Sequence, residues 1–299
     1  MSNNWTLFEV PNGTETETVK TGNNVVNVAS VPQRSPFRYP GGKTWAIPVV
    51  RKWLQQDGGK IPLLVEPFAG GGIVSLTAAA EGLAKHVEMV ELDHEIAAVW
   101  KTATGPDSQW LIQQILSFEL TLENIQAAFA RESKSEKEIA FCTILKNRVY
   151  HGGIMAKGSG LIKSGENGKG LASRWYPSTL AKRLQAINFI SHKITPIEGD
   201  AFQAMLRHKD DPACYFFIDP PYFLAGRRLY THFEIDHARL FELTAAIKGR
   251  FLLTYDDADE IKELADQYGL KYTTIPMKTT HHLEKRELLI SDNFDWLSK

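Results

Sequence analysis

The 299-residue chain has only two cysteines, Cys142 and Cys214, with neither metal-ligand spacing nor a partner motif. That excludes a disulfide framework and a zinc site. Both read as buried free thiols in a reducing cytoplasm, and no metal is expected. No apolar run approaches the ~18 residues that span a bilayer, and the polar start Met1-Ser2-Asn3-Asn4 is unlike a signal peptide. A cytoplasmic protein with no membrane contact is therefore expected. Internal repeats, a nuclease-like acidic cluster and helicase motifs are all missing. Net charge is almost absent, at −1, which excludes a uniformly basic nucleic-acid binder. What is present, 43% hydrophobic and 23% charged residues, is ordinary for a globular protein. The length allows one large α/β domain with an insertion as readily as two domains.

The near-zero charge hides an asymmetry. Between Cys142 and Lys193 stand nine basic residues: Lys146, Arg148, Lys157, Lys163, Lys169, Arg174, Lys182, Arg183 and Lys193. Glu166 is the one acid there, so the segment carries +8. A solvated face usually mixes signs, and charge of one sign over fifty residues suits phosphates.

Residues 1–34 are rich in Thr, Asn and Ser without sustained periodicity, and read as a loose arm open to a protein partner. Strand and helix signals then alternate. Leu63-Leu64-Val65 precedes a glycine-rich turn and a helix over 73–80. Val87–Leu92 is a second strand, with a helix over 94–101. Tyr215–Ile218 and Phe251–Thr254 are further strands, the latter followed by a helix over 257–268. Tyr272–Met277 and Glu287–Ile290 read as a closing antiparallel hairpin. Such alternation implies a mostly parallel sheet covered on both faces. Residues 105–195 break the rhythm: 107–148 is helical in pattern, and 151–170 holds seven of the chain's 22 glycines. This stretch reads as an inserted helical recognition region with a basic loop, leaving 35–104 and 196–299 as the sheet domain.

Asp219-Pro220-Pro221-Tyr222 directly follows the apolar run 214–218. Proline fixes φ and donates no N–H, so the carbonyls of this turn are free to face a ligand. A planar heterocycle can stack on Tyr222 while its amino group donates to the Asp219 carboxylate and the Pro220 carbonyl. Val65-Glu66-Pro67-Phe68-Ala69-Gly70-Gly71-Gly72 lies where nucleotide-like cofactors meet a parallel sheet. Its glycines miss the G-x-G-x-x-G register, and Glu66 would repel a pyrophosphate, so a cofactor with an amine and a sulfonium suits it better. Glu91, about 20 residues on, can accept both hydroxyls of a ribose, whereas Asp93 suits a helix N-cap. Phe37-Arg38-Tyr39-Pro40-Gly41-Gly42-Lys43 brings cations and close-approach glycines able to hold a carboxylate. Asp200 and Phe202 offer an acceptor for an adenine amine and a ring beside it.

In this order the motifs resemble the Dam-type N6-adenine DNA methyltransferases, in the group whose cofactor motifs precede the target-recognition region. The resemblance runs from about Phe37 to the C-terminus. It rests on the 37–43, 65–72, Glu91-Leu92-Asp93 and 219–222 motifs and on Arg286-Glu287-Leu288-Leu289-Ile290. Tyr230, Phe233, Asp236, His237 and Leu240 fall where that family places an aromatic pair and an Asp-His helix start, and Lys146-Asn147-Arg148 with Gly152-Gly153 is similar to its Asn-Arg and glycine turn. Glu91 departs from the commoner Asp, and Arg227 and Arg228 match no family role.

The resemblance implies a Rossmann-like methyltransferase sheet and S-adenosylmethionine-dependent transfer to adenine N6 of a base flipped out of duplex DNA. Tyr39, Gly42, Lys43, Glu66, Phe68, Gly70, Gly72, Glu91, Asp200, Phe202 and Asp219 would line the cofactor. Asp219, Pro220, Pro221 and Tyr222 would hold the base. Arg148, Lys157, Arg174, Lys182, Arg183 and Arg227 are the candidates for DNA contacts. No general base is required, and His237 is expected to cap or pack a helix. Two rivals are weighed. An amino-methyltransferase could act on RNA or on a protein amide, but RNA predicts more exposed loop aromatics than Trp175 and Tyr176, and a basic insertion of this size suits duplex DNA better than a peptide. A non-catalytic DNA-binding or assembly subunit has no need of an intact Asp219, Tyr222 and cofactor loop. A stand-alone modification enzyme, monomeric or weakly dimeric and encoded by a bacterium or phage, is the favoured expectation.

Overall fold

Residues 6–12, 15–21, 31–38, 42–155, 159–163, 165, 168–222, 235–278 and 284–297 are described by a computed structural model. Their centre is a seven-stranded sheet. The strands are β3 (Ile61–Glu66), β4 (Ala84–Glu91), β5 (Ile194–Glu198), β6 (Cys214–Ile218), β7 (Arg250–Asp256), β8 (Lys271–Lys278) and β9 (Glu284–Ser291), in the order β5-β4-β3-β6-β7-β9-β8. The first five run parallel, and β9 pairs antiparallel with both β7 and β8. This is the mostly parallel sheet with a closing hairpin that the sequence implies.

Alternate residues of each strand enter two different cores. Leu64, Met89, Tyr215, Phe217 and Leu252 face one side, where α1 (Ile47–Leu54), α2 (Ile73–Ala80) and α3 (His94–Thr104) cover them. Val65, Val90, Phe216, Ile218 and Leu253 face the other, under α8 (Ala201–His208), α9 (His237–Ala245) and α10 (Asp259–Gln267). Trp53 and Trp100 are fully buried on the first side. Burial on this scale contributes about 1.5–3 kcal/mol per large side chain and fixes the sheet between its layers.

The inserted stretch forms α4 (Ser108–Ser117), α5 (Leu122–Ala130), α6 (Glu136–Val149) and α7 (Pro177–Phe189). Leu111, Ile115, Ile125, Ile144, Leu145 and Leu184 join the same core as Val99 and Trp100 of α3. The helices therefore extend one face of the sheet layer. A Ser135–Glu138 capping box starts α6, satisfying two backbone donors reciprocally.

Three expectations change. β5 is an additional parallel strand, so Gly199-Asp200 follows a strand directly. Its Pro196, opposite Met89, is tolerated because β5 is the sheet's edge and no further ladder needs the missing N–H. Within 1–34, β1 (Thr6–Asn12) and β2 (Glu15–Thr21) pair antiparallel as a separate sheet, where the sequence suggested no regular element. Trp175 is buried against Phe118, ring centroids 6.0 Å apart, and only Tyr176 of that pair is exposed. Both cysteines are buried free thiols, and burial pushes Cys214 up to about 12. Among the described residues no helix is long and apolar enough to cross a membrane.

Candidate active site

The strand order reverses between β3 and β6, which are neighbours although far apart in sequence. Connections leave these strands in opposite directions and open a crevice at their carboxyl ends, where open α/β sheets bind ligands. The glycine loop after β3 and Asp219–Tyr222 after β6 both lie there. Topology alone thus brings together two motifs some 150 residues apart.

In the β3 loop, Gly70 and Gly72 take positive φ, 46° and 63°. Gly72 forms the left-handed start of α2, and a Cβ there would lie 2.4 Å from Met89 Cε and 3.0 Å from Trp100 Cζ2. Only glycine fits both the backbone and the space. Trp100 Nε1 donates to the Gly70 carbonyl at 3.0 Å, fixing the loop from the core side. At the end of β4, Glu91 accepts from Gly70 N–H at 2.8 Å and from Asp93 N–H at 2.9 Å. Burial pushes its carboxyl up to about 7 against those hydrogen bonds. Asp93 is the N-cap of α3, accepting from Glu95 N–H at 2.9 Å. Two backbone donors therefore aim Glu91 at the loop, and each oxygen keeps a lone pair for a hydroxyl.

Glu66 lies deeper than the other candidates, 3% exposed, and accepts from the backbone N–H and hydroxyl of Ser75 on α2. Burial pushes it up to about 8, and the neighbouring Asp219 and Glu91 charges add to the rise. Phe68 is half-buried beside this loop. Asp200 is exposed and caps α8, accepting from Gln203 N–H at 3.0 Å. Phe202 is buried, with the Arg239 guanidinium 4.8 Å from its ring centroid.

Asp219 is held from two sides. Its Oδ1 accepts from Thr254 Oγ1 of β7 at 2.8 Å and lies 2.8 Å from Lys43 Nζ. Its Oδ2 carries no hydrogen bond among the described residues. Lys43, expected beside the cofactor, is 3% exposed and also bonds the Tyr222 hydroxyl. That hydroxyl in turn donates to Glu287 Oε1 of β9 at 2.8 Å. The half-buried Tyr222 ring stacks on Tyr255, centroids 6.4 Å apart at 29°. His237 opens α9, capped by Asp236, and its Nδ1 meets the Tyr255 hydroxyl at 2.6 Å. Sequence reasoning left out Thr254, Tyr255 and the role of Glu287. A hydroxyl in the apolar run 251–254 and a carboxylate opening the run 287–290 were the signals available.

The Phe37–Lys43 motif is fastened to the insertion. Asn147 of α6, fully buried, accepts from Arg38 N–H at 2.8 Å and donates to Arg38 O at 3.0 Å and Gly153 O at 2.9 Å. Arg148 is 5% exposed and donates to the Pro36 carbonyl, so its expected direct contact with DNA gives way to holding this segment. Burial, then the charges of Arg183, Arg38 and Arg174, pushes it down to about 9. Arg183 donates to the Ser35 carbonyl at 2.8 Å; Arg38 and Lys182 are exposed and Arg174 half-exposed. Tyr39, Lys157, Arg227, Arg228, Tyr230 and Phe233 lie outside the described residues.

The model of the D12 class N6 adenine-specific DNA methyltransferases matches residues 39–280. The chain belongs to this family. No curated protein sequence matches it. Among solved structures, the methyltransferase is similar to precorrin-6y C5,15-methyltransferase from Geobacter metallireducens GS-15, at 10% identity and TM-score 0.37 over 91% of each chain. It is also similar to a Pyrococcus horikoshii protein described as an RNA methyltransferase, at 12% identity and TM-score 0.38 over 85% of this chain and 84% of that one. A third is SMU.776, described as a methyltransferase complexed with SAH, at 11% identity and TM-score 0.39 over 97% of this chain and 56% of that one. None of the three bears on substrate. The cofactor of the methyltransferase is S-adenosylmethionine. The site fits it: Glu91 and Asp219 stand at the carboxyl ends of neighbouring strands on either side of the glycine loop, close enough for both charges to add to the rise that burial causes in Glu66, so carboxylates are at hand for a ribose and an amine.

Proposed function

We propose that this methyltransferase transfers the methyl group of S-adenosylmethionine to the N6 amine of an adenine flipped out of duplex DNA. The observation that carries the reading is the half-anchored carboxylate of Asp219. Oδ1 is held by Lys43 and Thr254, while Oδ2 carries no hydrogen bond among the described residues. S-adenosylmethionine, when bound, supplies an electrophilic methyl group. The protein's task is to make a poor nucleophile attack it.

The N6 lone pair is delocalised into the purine ring. Accepting both amine hydrogens, at Asp219 Oδ2 and the Pro220 carbonyl, pulls the nitrogen toward sp³ and localises that pair. Anchoring Oδ1 beforehand means the acceptor does not reorganise as the amine arrives, and alignment with the methyl group supplies much of the rest. Glu91 is suited to the ribose hydroxyls, and the Gly70–Gly72 loop lets the cofactor approach the backbone. A duplex base must leave the stack to reach this crevice, and base–aromatic stacking on Tyr222 would offset part of that cost, worth ~1–3 kcal/mol.

The basic insertion supports DNA as substrate. Arg38, Arg174 and Arg183 surround the buried Arg148 with like charge, and their fields press its proton outward. Backbone phosphates would relieve that repulsion, with Lys182 as the exposed rim contact. Methyl incorporation into unmethylated plasmid DNA tests the reading against an Asp219→Ala variant. Wild type is expected to label the DNA and the variant to lose at least a hundredfold; equal labelling overturns the catalytic assignment. A cytoplasmic location accompanies this reading.

A further inference from the structure

Glu287 joins the Asp219 cluster from the antiparallel side of the sheet, where β9 pairs with β7 so that Glu287 stands opposite Asp256. It is 3% exposed. Oε1 accepts from the Tyr222 hydroxyl at 2.8 Å. Oε2 is buried, has no hydrogen bond among the described residues, and lies 3.9 Å from Lys43 Nζ. The same Nζ is 2.8 Å from Asp219 Oδ1. One buried cation therefore stands between two carboxylates, close to one and a short movement from the other.

We propose that Glu287 is a positioning residue for methyl transfer, which shares the Lys43 ammonium with Asp219 and so sets how strongly Asp219 accepts the substrate amine. This rests on the adenine-methylation reading of the site. With Glu287 protonated, Lys43 stays on Asp219 and neutralises the acceptor. With Glu287 ionised, Oε2 draws Lys43 toward itself and leaves more negative charge on Asp219. The Tyr222 hydroxyl, which accepts from Lys43 and donates to Oε1, lies between the two groups, so Oε1 holds the stacking ring while the cation shifts. The groups facing Glu287 are Lys43 from the turn before α1, Tyr222 and Asp219 from the β6 loop, and Asp256 from β7. Burial holds the Glu287 carboxyl up at about 7, Lys43 and Tyr222 work against that rise, and Asp219 and Asp256 add to it. The shared cation thus changes hands near neutral pH. A buried oxygen with no hydrogen bond among the described residues, where buried polar atoms are ordinarily paired, is the feature this accounts for.

The test is the pH dependence of single-turnover methyl transfer by wild type, Glu287→Gln and Glu287→Asp, with S-adenosylmethionine affinity measured alongside. Gln keeps an acceptor for Tyr222 but cannot ionise. Its rate is expected to be on the order of tenfold below wild type at pH 8 and flat from pH 6 to 8.5, with cofactor affinity unchanged. Asp is expected to restore a rising limb at a shifted midpoint. A Glu287→Gln enzyme with the wild-type pH profile overturns the proposal, as does a lowered rate that keeps the same rising limb. A second arm needs no substrate. NMR of carboxyl-¹³C-labelled glutamate should show several resonances titrating near neutrality, Glu91 and Glu66 among them; the one that vanishes in Glu287→Gln belongs to Glu287 and should move in Lys43→Met, and its failure to move there overturns the sharing. If wild type methylates no DNA, the adenine reading falls while this second arm still decides whether the two groups share the cation.

Discussion

Replacing Glu66 with Gln removes a carboxyl whose proton the fold retains at neutral pH. Glu66 is 3% exposed at the end of β3, and among the described residues it accepts from the N–H and hydroxyl of Ser75. Burial, the dominant cause, lifts it from 4.5 to about 8, with Ser75 opposing and Asp219 and Glu91 adding. The unfolded chain releases this proton near 4.5 while the folded chain keeps it until about 8. The folded state therefore binds more protons across that window, and stability falls as pH rises through it. At ~1.4 kcal/mol per pH unit, the full gap corresponds to roughly 4–5 kcal/mol, of which about 3–4 is lost between pH 5 and 8. A glutamine is neutral in both states, and its carbonyl can still accept from Ser75. Urea unfolding of both proteins at pH 5, 6, 7 and 8 is the measurement. The variant's advantage is expected to be near zero at pH 5 and to grow to roughly 3 kcal/mol at pH 8, about 5 °C in Tm for a chain of this size. Glu91 and Glu287 titrate in both proteins and cancel in the comparison. Stability curves that run parallel across the four pH values would refute the reasoning, since the lost slope must belong to Glu66.

Gly72→Ala should destabilise by about 1–3 kcal/mol in the same assay, because its Cβ meets Met89 Cε at 2.4 Å in a left-handed backbone; an unchanged midpoint would show that the loop relaxes freely. Lys182→Ala should lower the slope of log affinity for DNA against log salt by about 1. Arg148→Met, removing a buried side chain, should leave that slope unchanged while weakening the fold, and a loss of slope there would return Arg148 to the DNA surface.

Most of the sheet was legible because its signals are local. Apolar runs such as 63–65 and 215–218 can be buried on both faces only as central parallel strands, and the loops that follow them carry glycines or prolines whose backbone demands are visible in the residue names. β5 was not legible: Pro196 argues against a strand until one knows that the strand lies at an edge. The first hairpin escaped because Leu7 and Phe8 stand side by side in one strand and the other is almost wholly polar, so no strict alternation marks a buried face. Trp175 drew attention as an exposed recognition aromatic, yet Phe118, just past the end of α4 and nearly sixty residues earlier, covers it.

The chain by itself determined the two loops that meet at the crevice and the acceptor Asp219, since a strand's end, a glycine turn and a proline-stiffened turn are written in consecutive residues. Tertiary structure alone decided what those residues do to one another. Lys43, Asp219, Thr254 and Glu287 lie on four separate segments, and the cation reads as a cofactor contact until the sheet order places it 2.8 Å from Asp219 and 3.9 Å from Glu287. The same holds for Arg148, basic in sequence but turned inward to a carbonyl more than a hundred residues earlier. Charge and hydrogen-bonding capacity belong to the residue. Burial, and with it the strength and sign of a group's influence, belongs to the neighbours that the fold assembles.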